Sequence, residues 1–113
     1  MKNDYPLYVK WQYIVEYLLG VCGKFPKDVR FNLSSHITNT SLDVLEMIIE
    51  GIYAKEKKKD ILQRTNLSIE KIRALLQICM NKKYISMGQY EHISAEINEA
   101  GKMLGGWIRS CKG

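Results

Sequence analysis

Ser86-Met87-Gly88-Gln89-Tyr90-Glu91-His92-Ile93-Ser94-Ala95-Glu96-Ile97-Asn98-Glu99-Ala100-Gly101-Lys102-Met103-Leu104 reads as one amphipathic helix, and the fold follows from it. Ser86 and Gln89 have the spacing at which a serine oxygen accepts a backbone N–H while the glutamine reaches back to the serine's own N–H. Tyr90, Ile93, Ile97, Ala100 and Leu104 then recur at three- and four-residue intervals, so they share one face.

Working outward, the preceding segment starts near Lys57, carries Ile61, Leu62, Ile69, Ile72, Leu75, Leu76 and Cys79, and ends at Asn81-Lys82-Lys83. Its interior Thr65-Asn66-Leu67-Ser68 is soft but contains no glycine or proline. Before it, Phe25-Pro26-Lys27-Asp28-Val29-Arg30 opens a segment expected to run to about Ala54, with the proline at the first helical position, where no N–H partner is needed. Leu33, Ile37, Thr40, Val44 and Met47 form its repeat, and Thr38-Asn39-Thr40-Ser41 are poor helix formers where a bend could fall. In the first segment Leu7, Trp11, Ile14 and Leu18 make the stripe, and Gly20 and Gly23 are expected to close it. No segment alternates like a strand. Short connections between long helices favour antiparallel neighbours, so the predicted fold is all-α, an up-down-up-down four-helix bundle forming one domain over residues 1–113.

The second helix is apolar over more of its circumference than one buried stripe requires: Leu42, Val44, Leu45, Met47, Ile48, Ile49 and Ile52 spread over well more than half of it. A second buried surface is expected, most simply between subunits, with Tyr8, Trp11, Tyr13 and Tyr17 of the first helix available to extend it.

The net charge of +5 is concentrated in the middle of the chain. Residues 1–54 carry five basic and six acidic side chains, residues 55–83 nine and three, and residues 84–113 three and three. Such a segment is a candidate footprint for a polyanion or an acidic protein, although a solvated lysine-rich face has the same composition. Lys57, Arg64 and Lys71 recur every seven residues and share one flank of the third helix, to which Lys82 returns. Lys59 and Arg73 are read as a second group opposite the apolar face, beside Gln77. Lys24, Lys27 and Arg30 could add to the basic surface, and Tyr53 and Tyr84 flank it, where they could stack on unpaired bases or pack against the bundle.

Catalytic readings find little support. His36 and His92 are far apart, no Cys-x-x-Cys or His-Glu-x-x-His pattern occurs, and no glycine-rich loop follows a strand, so neither a metal nor a nucleotide cofactor is expected. Cys22, Cys79 and Cys111 are an odd number at wide spacing and read as reduced thiols, two of them filling core space, in a cytoplasmic protein. No apolar run is long enough to span a bilayer, and neither export nor membrane insertion is indicated.

Phe25-Pro26-Lys27-Asp28-Val29-Arg30, Tyr90-Glu91 and Gly101-Lys102-Met103-Leu104-Gly105-Gly106-Trp107-Ile108-Arg109-Ser110, occurring in this order, resemble the accessory variability determinant (Avd) family of diversity-generating retroelements. Gly105-Gly106 taken alone reads equally as a helix stop. The resemblance runs from about Lys24 to Ser110, with the first helix matching only in pattern. It implies a small basic four-helix bundle that assembles into a ring, a pentamer, and partners a reverse transcriptase copying a template RNA with errors at adenines. It implies a nonenzymatic scaffold binding that polymerase and RNA or DNA, with Arg73 at the position that resembles the family's partner-facing arginine. Charge and spacing add Lys57, Lys59, Arg64, Lys71 and Lys82 as candidate contacts, with Lys24, Lys27 and Arg30 as additional ones and no sequence readout expected. The family pattern in the third helix is richer in arginine, and Gln77 departs from it. A related alternative is the bundle encoded within intervening sequences of 23S ribosomal RNA genes, which would associate with RNA without a polymerase. A small enzyme using the bundle interior is disfavoured by the absence of inward-facing clusters of His, Asp and Glu.

Overall fold

The computed structural model describes residues 5–111, and among these every regular element is helical. Helix α1 (Pro6–Cys22) buries Leu7, Trp11, Ile14, Val15, Leu18 and Cys22. Gly20 lies inside this helix, and Gly23 alone caps it, in the right-handed conformation, with its N–H on the Leu19 carbonyl.

The second segment ends where its pattern predicts, but it begins one residue later, at Lys27 rather than Pro26, and its irregularity falls elsewhere. Pro26 is the capping residue, Lys27–Val29 make one α-turn, Arg30–Ser34 form a π-helical turn, and helix α2 (Ser35–Tyr53) continues without a break. Thr38-Asn39-Thr40-Ser41 are regular helix, held by packing through the stretch, where Ile37, Ser41 and Val44 are buried. Thr38 donates to the carbonyls of Ser34 (3.1 Å) and Ser35 (3.2 Å), and Ser41 donates to that of Thr38 (2.7 Å). The wider turn is tied down by two other hydroxyls: Ser34 donates to the Cys22 carbonyl at 2.8 Å and Ser35 to the Arg30 carbonyl at 2.9 Å.

Helix α3 (Lys58–Asn81) has Lys57 before it and Lys83 after it at positive φ, 59° and 62°, where glycine would be unstrained. Thr65, in its soft stretch, donates to the Ile61 carbonyl at 2.8 Å, and the helix runs through. Helix α4 (Met87–Ser110) opens with the expected reciprocal cap: the Gln89 N–H donates to Ser86 Oγ and the Ser86 N–H to Gln89 Oε1, both at 3.0 Å. Gly105 and Gly106 lie inside it, so the helix-stop reading does not hold.

Each helix packs on the next, α1 on α2, α2 on α3, α3 on α4, and α4 returns to α1, which is the contact pattern of a four-helix bundle 44 × 24 × 23 Å in extent. The buried side chains form one cluster that includes the fully buried Trp11, whose indole N–H donates to the Ser41 carbonyl at 2.8 Å. The tightest approach is at Gly51 on α2. A Cβ there would stand 2.7 Å from Leu62 Cδ2 and 3.3 Å from Trp107 Cη2, so a side chain would collide with α3 and press on α4. Part of α2's surplus apolar surface is taken up within the subunit, since Leu45, Met47 and Ile52 pack against the core. Leu42 stays 39% exposed, and Ile49 is half-buried. Among the described residues no helix is long and apolar enough to cross a membrane.

Candidate functional surface

The heptad-spaced cations on α3 reach solvent. Lys57, Arg64, Lys71 and Lys82 are all exposed, running from the start of the helix to its C-cap. They differ in how freely their charge is offered. Arg64 Nε donates to Asp60 Oδ2 at 3.2 Å, whereas Lys57, Lys71 and Lys82 enter no ion pair among the described residues. The same side of the helix also exposes Leu67 (56%) and Ile78 (46%), so the surface is basic and apolar together.

Lys59 and Arg73 do not form a second group opposite the core. Arg73 directly follows the buried Ile72 and lies between Ile69 and Leu76, which puts it on the flank of the core facing α4. Its guanidinium crosses to that helix. Nε donates to Glu70 Oε1 at 3.1 Å, a second nitrogen donates to Asn98 Oδ1, and the third stands 3.1 Å from where a Cβ on Gly101 would be. Gly101, whose spacing from Gly105 suggests a bare face open to a neighbouring helix, thus makes room for the end of an arginine side chain. Lys59 sits fourteen residues earlier, about 21 Å along the helix, near Lys55, Lys57, Lys58 and Cys111 at the other end of the bundle.

Arg73 forms the wall of a groove of about 520 Å³ between α3 and α4, also lined by Glu70, Gln77, Tyr90, Ser94 and Asn98. Gln77, the departure from an arginine pattern, has a specific place in it. The Tyr90 hydroxyl donates to Gln77 Oε1 at 2.8 Å and Gln77 Nε2 donates to Asn81 Oδ1 at 3.0 Å, a chain that an arginine could not complete because it has no acceptor.

Lys24 and Lys27 are exposed, and the fold brings them to the end of the bundle that carries Lys82 and Lys83. The rings of Phe25 and Tyr84, 5.8 Å apart, join the two connections there. Arg30 is not available in the same way, because it turns inward to donate to the Phe25 carbonyl at 3.1 Å and its Nε is buried with no partner. Tyr84 packs on Phe25 and the core rather than offering its face to a base, while Tyr53 is exposed.

The thiols and histidines are not arranged for nucleophilic chemistry. Burial pushes the Cys22 thiol up to about 12, with the nearby Cys79 adding to the rise, and burial pushes Cys79 up to about 11, so both stay protonated at neutral pH. His92 Nε2 lies 2.8 Å from the Tyr13 hydroxyl, with the Tyr17 ring 4.9 Å away, a small cluster on the α1–α4 face that no sequence spacing announced. Lys10 pairs with Glu96 one turn along the same face at 3.2 Å. Among the described residues no group of three or more His, Cys, Asp or Glu is placed to hold a metal.

These observations define a class, a small basic four-helix protein with an apolar core and most of its charged side chains on the outside. The chain belongs to the bAvd-like family, whose model matches residues 7–111. No curated protein matches it.

Proposed function

We propose that this protein is a nonenzymatic accessory scaffold of a diversity-generating retroelement, acting in the cytoplasm to hold a reverse transcriptase together with its template RNA or cDNA. The observation that carries the reading is membership of the bAvd-like family over 7–111, nearly the whole bundle. The exposed cations of α3 support it, since lysine and arginine contacts to phosphate give affinity that is largely independent of sequence. On this reading the copies assemble into a ring, a pentamer, and the polymerase chemistry belongs entirely to the partner.

Arg73 is the side chain we assign to the polymerase. Its guanidinium is fixed by Glu70 and Asn98 and only partly exposed, so the remaining donors are presented in a set orientation, which suits a carboxylate or backbone carbonyl better than a mobile phosphate chain. Co-purification with a co-expressed reverse transcriptase of a diversity-generating retroelement tests the reading. Arg73→Glu is expected to lose the polymerase while keeping its thermal midpoint within a few degrees, and Arg73→Lys to weaken the complex. Full retention of the polymerase by Arg73→Glu removes this residue from the interface, and no association of the unaltered protein overturns the function itself.

A further inference from the structure

Phe31 is 90% exposed, the most exposed large apolar side chain among the described residues, and it stands on the π-helical turn Arg30–Ser34. The wider turn explains the orientation. It carries Ser34 inward, where the hydroxyl bonds the Cys22 carbonyl, and leaves Phe31 pointing outward. Single π-turns of this kind occur often at functional sites. Phe31 also borders a groove of about 550 Å³ with Asn32, Leu33, His36, Asn39 and Leu75, so its ring stands beside amide, imidazole and apolar groups.

The end of the bundle that carries it is predominantly basic. The two connections at this end hold Lys24, Lys27, Arg30, Lys82 and Lys83 against Asp28 alone, and the four lysines are exposed and enter no ion pair among the described residues. Lys71, equally exposed and unpaired, lies one turn before Leu75, the α3 residue that lines the groove. An apolar protein segment would have no use for so many cations, and duplex nucleic acid, with its bases stacked, would have no use for the ring. An unpaired strand uses both, through phosphates on the lysines and a base face on the phenyl ring.

We infer that the Phe31 groove is a binding site for single-stranded nucleic acid, with Phe31 as the stacking platform and Lys27, Lys71 and Lys82 as its phosphate contacts. This deepens the nucleic-acid part of the proposed function and rests on it. A short mixed-sequence single-stranded RNA and a duplex of equal length, titrated by filter binding at low salt, test it on the unaltered protein, Phe31→Ala, Phe31→Leu and Phe31→Trp, with native mass by light scattering on each. Loss of one stacked base corresponds to roughly tenfold or more. Phe31→Ala and Phe31→Leu are expected to weaken the single strand by that factor and leave the duplex and the mass unchanged, while Phe31→Trp retains single-strand binding. Unchanged single-strand affinity in Phe31→Ala, equal losses for strand and duplex, or retention by Phe31→Leu overturns the site while leaving general nucleic-acid binding intact. A fall in native mass in Phe31→Ala overturns it in favour of a contact between copies. Failure of the unaltered protein to bind either RNA overturns both this site and the nucleic-acid part of the function.

Discussion

At the scale of single residues, the buried thiols give the clearest pH dependence. Cys22 and Cys79 titrate near 12 and 11 when folded, above the ordinary value of 9.0, with burial the leading cause for both. Below about pH 9 both states hold these protons, so the stability contributed by burying neutral thiols is fully present there. As pH rises from about 9 toward 12, the unfolded chain releases protons that the folded chain retains, and stability falls. The thermal midpoint is therefore expected to decline above about pH 9, less steeply in Cys22→Ala than in the unaltered protein, even though that variant starts from a lower midpoint because of its cavity. Equal slopes would separate the decline from this thiol. At neutral pH, thiol labelling should modify Cys111, which is only half-buried, well before the other two.

At the scale of helices, two glycines carry opposite expectations. Gly20, exposed within α1 and with nothing within 4 Å of a Cβ, gains helix propensity on replacement, so Gly20→Ala should stabilise by about 0.5–1 kcal/mol in urea unfolding. Gly51→Ala gains the same propensity but forces the buried Leu62 off its packed position, and overpacking of about 1–3 kcal/mol makes it the destabilising member of the pair. If Gly51→Ala were the more stable of the two, the close approach of α2 to α3 would not constrain the fold. The contrast marks what the sequence discloses. The α4 cap was legible because Ser86 and Gln89 satisfy it locally, and the buried stripes were legible because Ile93, Ile97, Ala100 and Leu104 keep a helical period. The π-turn at Arg30–Ser34 was not, because it depends on Ser34 reaching a carbonyl on another helix. The softness read at Thr38–Ser41 misled because propensity is local, whereas the helix is held there by the burial of Ile37, Ser41 and Val44 against its neighbours. The exposed α3 row could be read from its spacing, but the contacts of Arg73 on α4 could not, since Glu70 is a helical neighbour while Asn98 and Gly101 are brought near only by packing.

At the scale of the whole molecule, leftover apolar surface and unpaired charge make separate predictions. Leu42 on α2 and Leu19 on α1 remain exposed, so a native mass above that of one chain is expected by light scattering, and Leu42→Glu, set beside Asp43 and Glu46, should lower that mass without loss of helicity. A monomer mass across a dilution series would remove this surface from assembly. For nucleic acid, the measurement is the slope of log affinity against log salt, which reports how many phosphates are neutralised, at about 0.7–0.9 per contact. The nine basic side chains of residues 55–83 are not equivalent in this respect. Arg64 is already held by Asp60, and binding phosphate means exchanging that partner, whereas Lys71 has no ion pair among the described residues to give up. Lys71→Gln should therefore reduce the slope by close to one contact and Arg64→Gln by distinctly less, with Asp60→Asn, which frees the arginine, raising affinity at low salt. Equal effects of Lys71→Gln and Arg64→Gln would mean that the pair with Asp60 does not withhold charge from the ligand, and no effect of either would take the α3 flank out of the binding surface.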